Sequence, residues 1–201
     1  STQQTGFSYI AQLRSWLPRE IGGILWFGND DGNMVAYVPI YCSNTERAEC
    51  FNTPGADAVT FSDKNAFWVC NWVSNMVYPR YSQLFPALKE VRDSLDNAFL
   101  AAQKGVEAKA EALYATDKAA AVKYLNDYSI QKSNEMITRW RQLAIHLIVK
   151  FNDMAVKPEK DGKFLRTSTG LGERVKRTGY SDYFKRELVK QTGDKFAVPN
   201  K

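Results

Sequence analysis

The chain has 201 residues, 44% of them hydrophobic, which suits one large or two small folded domains and excludes a disordered segment. Its formal charge of +5 is unevenly placed: residues 1–150 carry 15 basic and 15 acidic side chains, and residues 151–201 carry 12 and 7. No run approaches the roughly 18 apolar residues that cross a bilayer, and the opening STQQTGFSYI lacks the basic and apolar regions of a signal peptide.

In chain order, Phe7, Tyr9, Ala11 and Leu13 alternate with more polar residues, so Thr5–Ser15 is expected to be a half-buried strand before Pro18. Ile24–Gly28 reads as a second strand. Asn29–Asn33 (NDDGN) carries an Asp-Gly turn signal, and Met34–Cys42 returns as its partner. Pro39 cannot donate to a ladder and belongs at an edge or bulge. Ser43–Ser62 is rich in Asn, Thr, Pro and Gly and is expected to be a loop.

From Asp63 the apolar period becomes helical. One helix is expected to end at Pro79, and a second carries Leu84, Leu88, Val91, Leu95, Ala98 and Ala102 to a break at Gly105. Thr116 can cap a short helix through Leu125, and Ser133 can begin a longer one with Met136, Trp140, Leu143 and Leu147 on one face. Pro158 and Gly162 mark a turn. A last helix over Ser181–Gln191 would place Tyr183, Phe184 and Leu188 inward. Strands followed by helices imply an α+β fold. The expected divisions are residues 1–62 for strands and loop, 63–152 for helices and 153–201 for a basic segment.

The chemistry-bearing residues are sparse. His146 is the single histidine and sits beside an apolar stripe, where a core or boundary role is the ordinary one. No second His and no CxxC pair accompany it, so no metal is expected, and no cofactor cradle appears. Asp30 and Asp31 fall in the expected turn, where Asp serves the backbone. Of three cysteines, Cys70 reads as a buried apolar residue. Cys42 and Cys50 are close enough to close a small loop, and a bridge there would add about 2.5 kcal/mol in an oxidising compartment. A periplasmic or secreted soluble protein follows if that bridge forms. Acidic residues interrupt each basic run of the tail, which favours a solvated extension over a nucleic-acid contact. By themselves the residues name no function.

Several segments in order resemble the cysteine dipeptidases of the N-terminal-nucleophile (Ntn) hydrolase superfamily. They are TQQTGFSYIAQLRSWLP, IGGILWFG, YVPIYC, ECF, AFWVCNWVSNMVYPRY and GYSDYF. The resemblance implies the C-terminal portion of an αββα sandwich of antiparallel strands with a large helical addition. It implies dipeptide substrates and a nucleophile, an N-terminal cysteine, upstream of this chain. That cysteine's own α-amino group acts as base, without metal or cofactor. Partners would then be a dipeptide, the missing N-terminal half and copies of the chain itself, with no nucleic acid and no membrane. Within the chain, Arg14 is the candidate to clamp a dipeptide carboxylate, and Tyr41, Asn44 and Arg47 are candidates to line the cleft mouth. The competing expectation is a non-catalytic interaction module.

Overall fold

The computed structural model describes residues 2–196. The described residues combine helices with small antiparallel sheets, an α+β composition. They fall into two compact units, Ser1–Leu147 and Ile148–Lys201.

In the first unit, β1 (Phe7–Leu13), β2 (Gly23–Asn29) and β3 (Val38–Tyr41) form one sheet in that order. A single helical turn, α1 (Arg19–Gly22), joins β1 to β2. Both pairings are antiparallel, with Tyr9 opposite Phe27, Ile10 opposite Trp26, and Leu25 opposite Ile40. Pro39 lies on β3, an edge strand, so its missing N–H costs no ladder bond on the open side.

The alternation along β1 gives the sheet two unlike faces. Ile24, Trp26 and Tyr41 are buried on one face. On the other, Phe7, Tyr9 and Leu13 are 59%, 59% and 76% exposed, and Leu25, Phe27 and Ile40 are only half-buried. The residues expected to point inward from β1 are therefore the exposed ones. Period-two patterning shows which residues share a face, but not whether that face is covered.

Three helices complete the unit. The first, α2 (Ala66–Val77), begins where the Asn65 side chain accepts the Trp68 N–H at 3.3 Å, and it buries Val69, Cys70, Val73 and Val77. Pro79 sits in a 3-10 turn (Tyr78–Arg80) that leads directly into α3 (Tyr81–Tyr114). Gly105 does not break α3. Its missing side chain faces open space, and one glycine costs a helix only about 1 kcal/mol. The two expected helices after Thr116 are one, α4 (Lys118–Phe151). No Gly or Pro interrupts it, and Asp117 rather than Thr116 caps it, accepting the Ala120 N–H at 3.0 Å. Ser133 closes no helix start; its hydroxyl donates to the Ser129 carbonyl at 2.8 Å.

The segment after β2 departs furthest from expectation. Asp31 serves a turn as expected, its carbonyl accepting the Met34 N–H at 2.8 Å, but both aspartates are also buried, at 0% and 2% exposure. Asp30 lies in the left-handed region at φ 70°. Its carboxylate accepts the Asn71 amide N–H at 3.1 Å and the Ser74 hydroxyl. Asp31 accepts the Asn33 N–H at 2.9 Å and the Tyr78 hydroxyl. Burial, followed by that bond, pushes the Tyr78 phenol up to about 12. The two carboxylates thus fasten α2 to the end of β2.

In the second unit, β4 (Ala155–Val156) pairs with β7 (Lys176–Arg177), and β5 (Glu159–Lys160) pairs with β6 (Lys163–Phe164). Helix α5 (Asp182–Thr192) is capped by the Ser181 hydroxyl, which accepts the Phe184 N–H at 3.1 Å. Tyr183, Phe184 and Leu188 are exposed rather than inward, because none of the described residues of α5 is buried.

Replacing Asp30 tests the fastening of α2. Asp30→Ala removes the acceptor of the Asn71 amide and the buried Ser74 hydroxyl and leaves a left-handed φ without a tolerant side chain, so it should cost roughly 2–4 kcal/mol. Asp30→Asn keeps an acceptor and tolerates that φ, and should cost less. Urea midpoints of the two variants measure the difference; equal midpoints would show that the carboxylate's bonds do not matter.

Candidate functional site

The candidate residues gather around the C-terminal end of β3. Tyr41, Asn44 and Arg47 line one open groove of about 570 Å³, together with Leu25, Ile40 and Cys42. Arg14 lines a neighbouring groove of about 650 Å³ that shares Cys42 as its wall. The structure therefore brings three of the four candidates to one groove and places Arg14 behind it.

Helix α4 holds this end of the sheet in place. The Ser129 hydroxyl accepts the Tyr41 N–H at 3.3 Å. Asn126 accepts the N–H groups of Thr45 and Glu46 at 3.1 and 2.9 Å, fixing the loop after β3. Composition gave no sign of these residues. Their spacing did, since Asn126, Ser129 and Ser133 put small polar groups on one helical face at intervals of three and four.

Arg14 is not presented to a ligand. It is 9% exposed, and its donors are committed: Nε to the Gly22 carbonyl at 3.3 Å, Nη2 to the Ile21 carbonyl at 3.2 Å, and Nη1 to the Glu107 carboxylate. Glu107 also accepts from Gln103 at 3.0 Å and from the Tyr41 hydroxyl at 3.4 Å. Burial and the adjacent Glu107 hold the Tyr41 phenol far above its ordinary range, so it stays a neutral donor. The clamp position expected of Arg14 is thus an internal lock. Arg47, by contrast, is exposed and makes no ion pair among the described residues. Beside it, the Asn44 side-chain oxygen is shielded from solvent without a hydrogen-bond partner.

The expected Cys42–Cys50 bridge is absent: both are free thiols. Cys42 is exposed at the end of β3, packed beside Gly23, where an added Cβ would lie 2.9 Å from its sulfur. Cys50 is buried in a 3-10 turn (Glu49–Phe51) that packs on α2. Closeness in sequence does not bring the two sulfurs together, and the argument for an oxidising compartment falls with the bridge. Burial pushes the Cys50 thiol up to about 11 and the fully enclosed Cys70 thiol well above its usual value. Neither is a ready nucleophile.

His146 is half-buried on α4. Among the described residues no three His, Cys, Asp or Glu side chains come together to hold a metal, and no helix is long and apolar enough to cross a membrane.

Residues 1–94 match the family model of peptidase family C69, a family of cysteine dipeptidases. That stretch holds the sheet, the groove and α2. No curated protein matches the chain.

Two measurements follow from this geometry. With iodoacetamide at pH 8 the native chain should gain one adduct quickly, on Cys42, and the other two only on unfolding; protection of Cys42 would revive the bridge. Glu107→Ala, which leaves a buried guanidinium unpaired, should cost roughly 3–5 kcal/mol, and Arg14→Met with Glu107→Leu should recover most of it.

Proposed function

We propose that this chain is the distal part of a cysteine-type dipeptidase whose nucleophile, an N-terminal cysteine, lies in polypeptide preceding Ser1. The match of residues 1–94 to peptidase family C69 carries the reading and supports a peptidase function at family level.

Three further observations support the finer account. First, the apolar outer face of the sheet, with Phe7, Tyr9 and Leu13 exposed, has the character of a surface that packs on a second sheet. An Ntn sandwich supplies that sheet from the upstream half. Second, among the described residues β1 is an edge strand with no partner on its outer side, where the upstream sheet can continue. Third, the chain's own thiols are poor candidates for the reaction. Each is internal and lacks the free α-amino group that would accept its proton, and two are buried with raised pKa.

In the assembled enzyme the upstream thiolate attacks the scissile carbonyl, and its α-amino group takes the thiol proton and passes it to the leaving amine. The resulting thioester is then hydrolysed by water. The groove at the end of β3 forms one wall of the cleft. With Arg14 committed to Glu107, Arg47 is the exposed cation of this groove and would pair a dipeptide's carboxylate.

The chain alone should hydrolyse no dipeptide, and joining it to the polypeptide encoded upstream should restore turnover. Substituting Cys42, Cys50 and Cys70 together by Ser should leave that turnover largely intact. Hydrolysis by the chain alone, or its loss in the triple variant, would contradict the upstream nucleophile. Failure of the joined protein to cleave any dipeptide would contradict the peptidase reading.

A further inference from the structure

A second concavity, sharing no lining residue with the groove at β3, lies between β1, β2 and α3. It has a volume of about 410 Å³, and its lining includes Ile10, Gln12, Trp26, Tyr37, Asp96 and Leu100. That is within the size range of small-molecule sites, and its walls are mainly apolar.

We propose that this cavity binds an organic primary ammonium ion carried on a small aromatic or branched apolar body. Asp96 supplies the charge. It is the one carboxyl group among the lining residues, and its Oδ1 accepts the Tyr37 N–H at 2.9 Å. It makes no ion pair among the described residues. The nearest cation in sequence, Arg92, acts on Asp96 through its charge but makes its direct bonds elsewhere. Its guanidinium contacts Asp93 at 2.9 Å and the Asn33 carbonyl at 2.6 Å, and Asp93 is also bonded by Lys89. Burial, the largest influence, holds the Asp96 carboxyl above its ordinary range. A cation delivered to it would offset that desolvation.

Trp26 supplies a fixed aromatic wall. Its indole N–H donates to the Gln12 side-chain oxygen at 2.9 Å, and the same oxygen accepts from Gln103 at 3.2 Å. The indole is 7% exposed, so its orientation is set before any ligand arrives. Ile10 and Leu100 are exposed at 57% and 55%, so binding buries apolar surface that water now covers. A carboxylate on the ligand would meet Asp96 as a like charge. A neutral isostere would gain the apolar contact without the ion pair. The cavity therefore selects by charge as well as shape, independently of the peptidase reading.

Isothermal titration of the full chain at pH 7 with phenethylammonium, 2-phenylethanol and 3-phenylpropionate tests this. Phenethylammonium should bind roughly ten- to a hundredfold more tightly than the alcohol, the span expected for one charge-assisted hydrogen bond. The carboxylate should bind most weakly. Asp96→Asn keeps an acceptor for the Tyr37 N–H and should bring the ammonium down to the affinity of the alcohol. Equal affinity of ammonium and alcohol for the native chain, unchanged binding by a folded Asp96→Asn variant, or no measurable binding of the ammonium would each overturn the assignment. If Asp96→Asn fails to fold, the comparison of ligands on the native chain decides.

Discussion

Much of the first unit hangs on the Glu107 carboxylate. Arg14 at the end of β1, Tyr41 at the end of β3 and Gln103 one turn earlier on α3 all converge on it. Arg14 in turn holds the carbonyls of Ile21 and Gly22, which fixes the path of α1 between the first two strands. A buried charge is tolerated only when paired and hydrogen-bonded, and here both partners are. One carboxylate therefore sets the position of two strand ends, the turn between β1 and β2, and the helix against which they pack. The groove at β3 inherits its geometry from the same lock, because Tyr41 belongs to both.

That lock closes one face of the sheet and leaves the other open. Burial of Ile24, Trp26 and Tyr41 stabilises the closed side. The open side keeps Phe7, Tyr9 and Leu13 in water, with Phe7 and Phe27 stacked at 6.0 Å and Phe51 edge-on to Phe27 at 5.4 Å. Exposed apolar clusters of this kind are common at interaction faces. The match to peptidase family C69 covers the part of the chain that carries this sheet, and the two observations together motivate the assembled dipeptidase.

The strands and the apolar helical stripes were readable because period two and period 3.6 are local properties of sequence. So was the edge placement of Pro39, which follows from a missing donor. What was not readable depended on contacts between distant segments. Asp30 and Asp31 carry an ordinary turn signal, and only the approach of Asn71, Ser74 and Tyr78 makes them buried anchors. Arg14 looks free for a substrate until Glu107, 93 residues later, is seen to hold it. Cys42 and Cys50 are near in sequence yet separated by exposure and burial. The helix expected to stop near Leu125 continued because nothing in its sequence stops it. Ser133, read as a start, is a mid-helix hydroxyl bonded to the preceding turn.

In the dipeptidase proposed above, the reacting sulfur lies outside this chain. A dipeptide-like chloromethyl ketone, added to the protein together with its upstream polypeptide, alkylates the catalytic thiolate wherever it lies. Peptide mapping should place the substrate-protectable label on an upstream N-terminal cysteine, with Cys50 and Cys70 unlabelled and any label on Cys42 unaffected by competing dipeptide. Substrate-protectable labelling of Cys42, Cys50 or Cys70 would contradict the account.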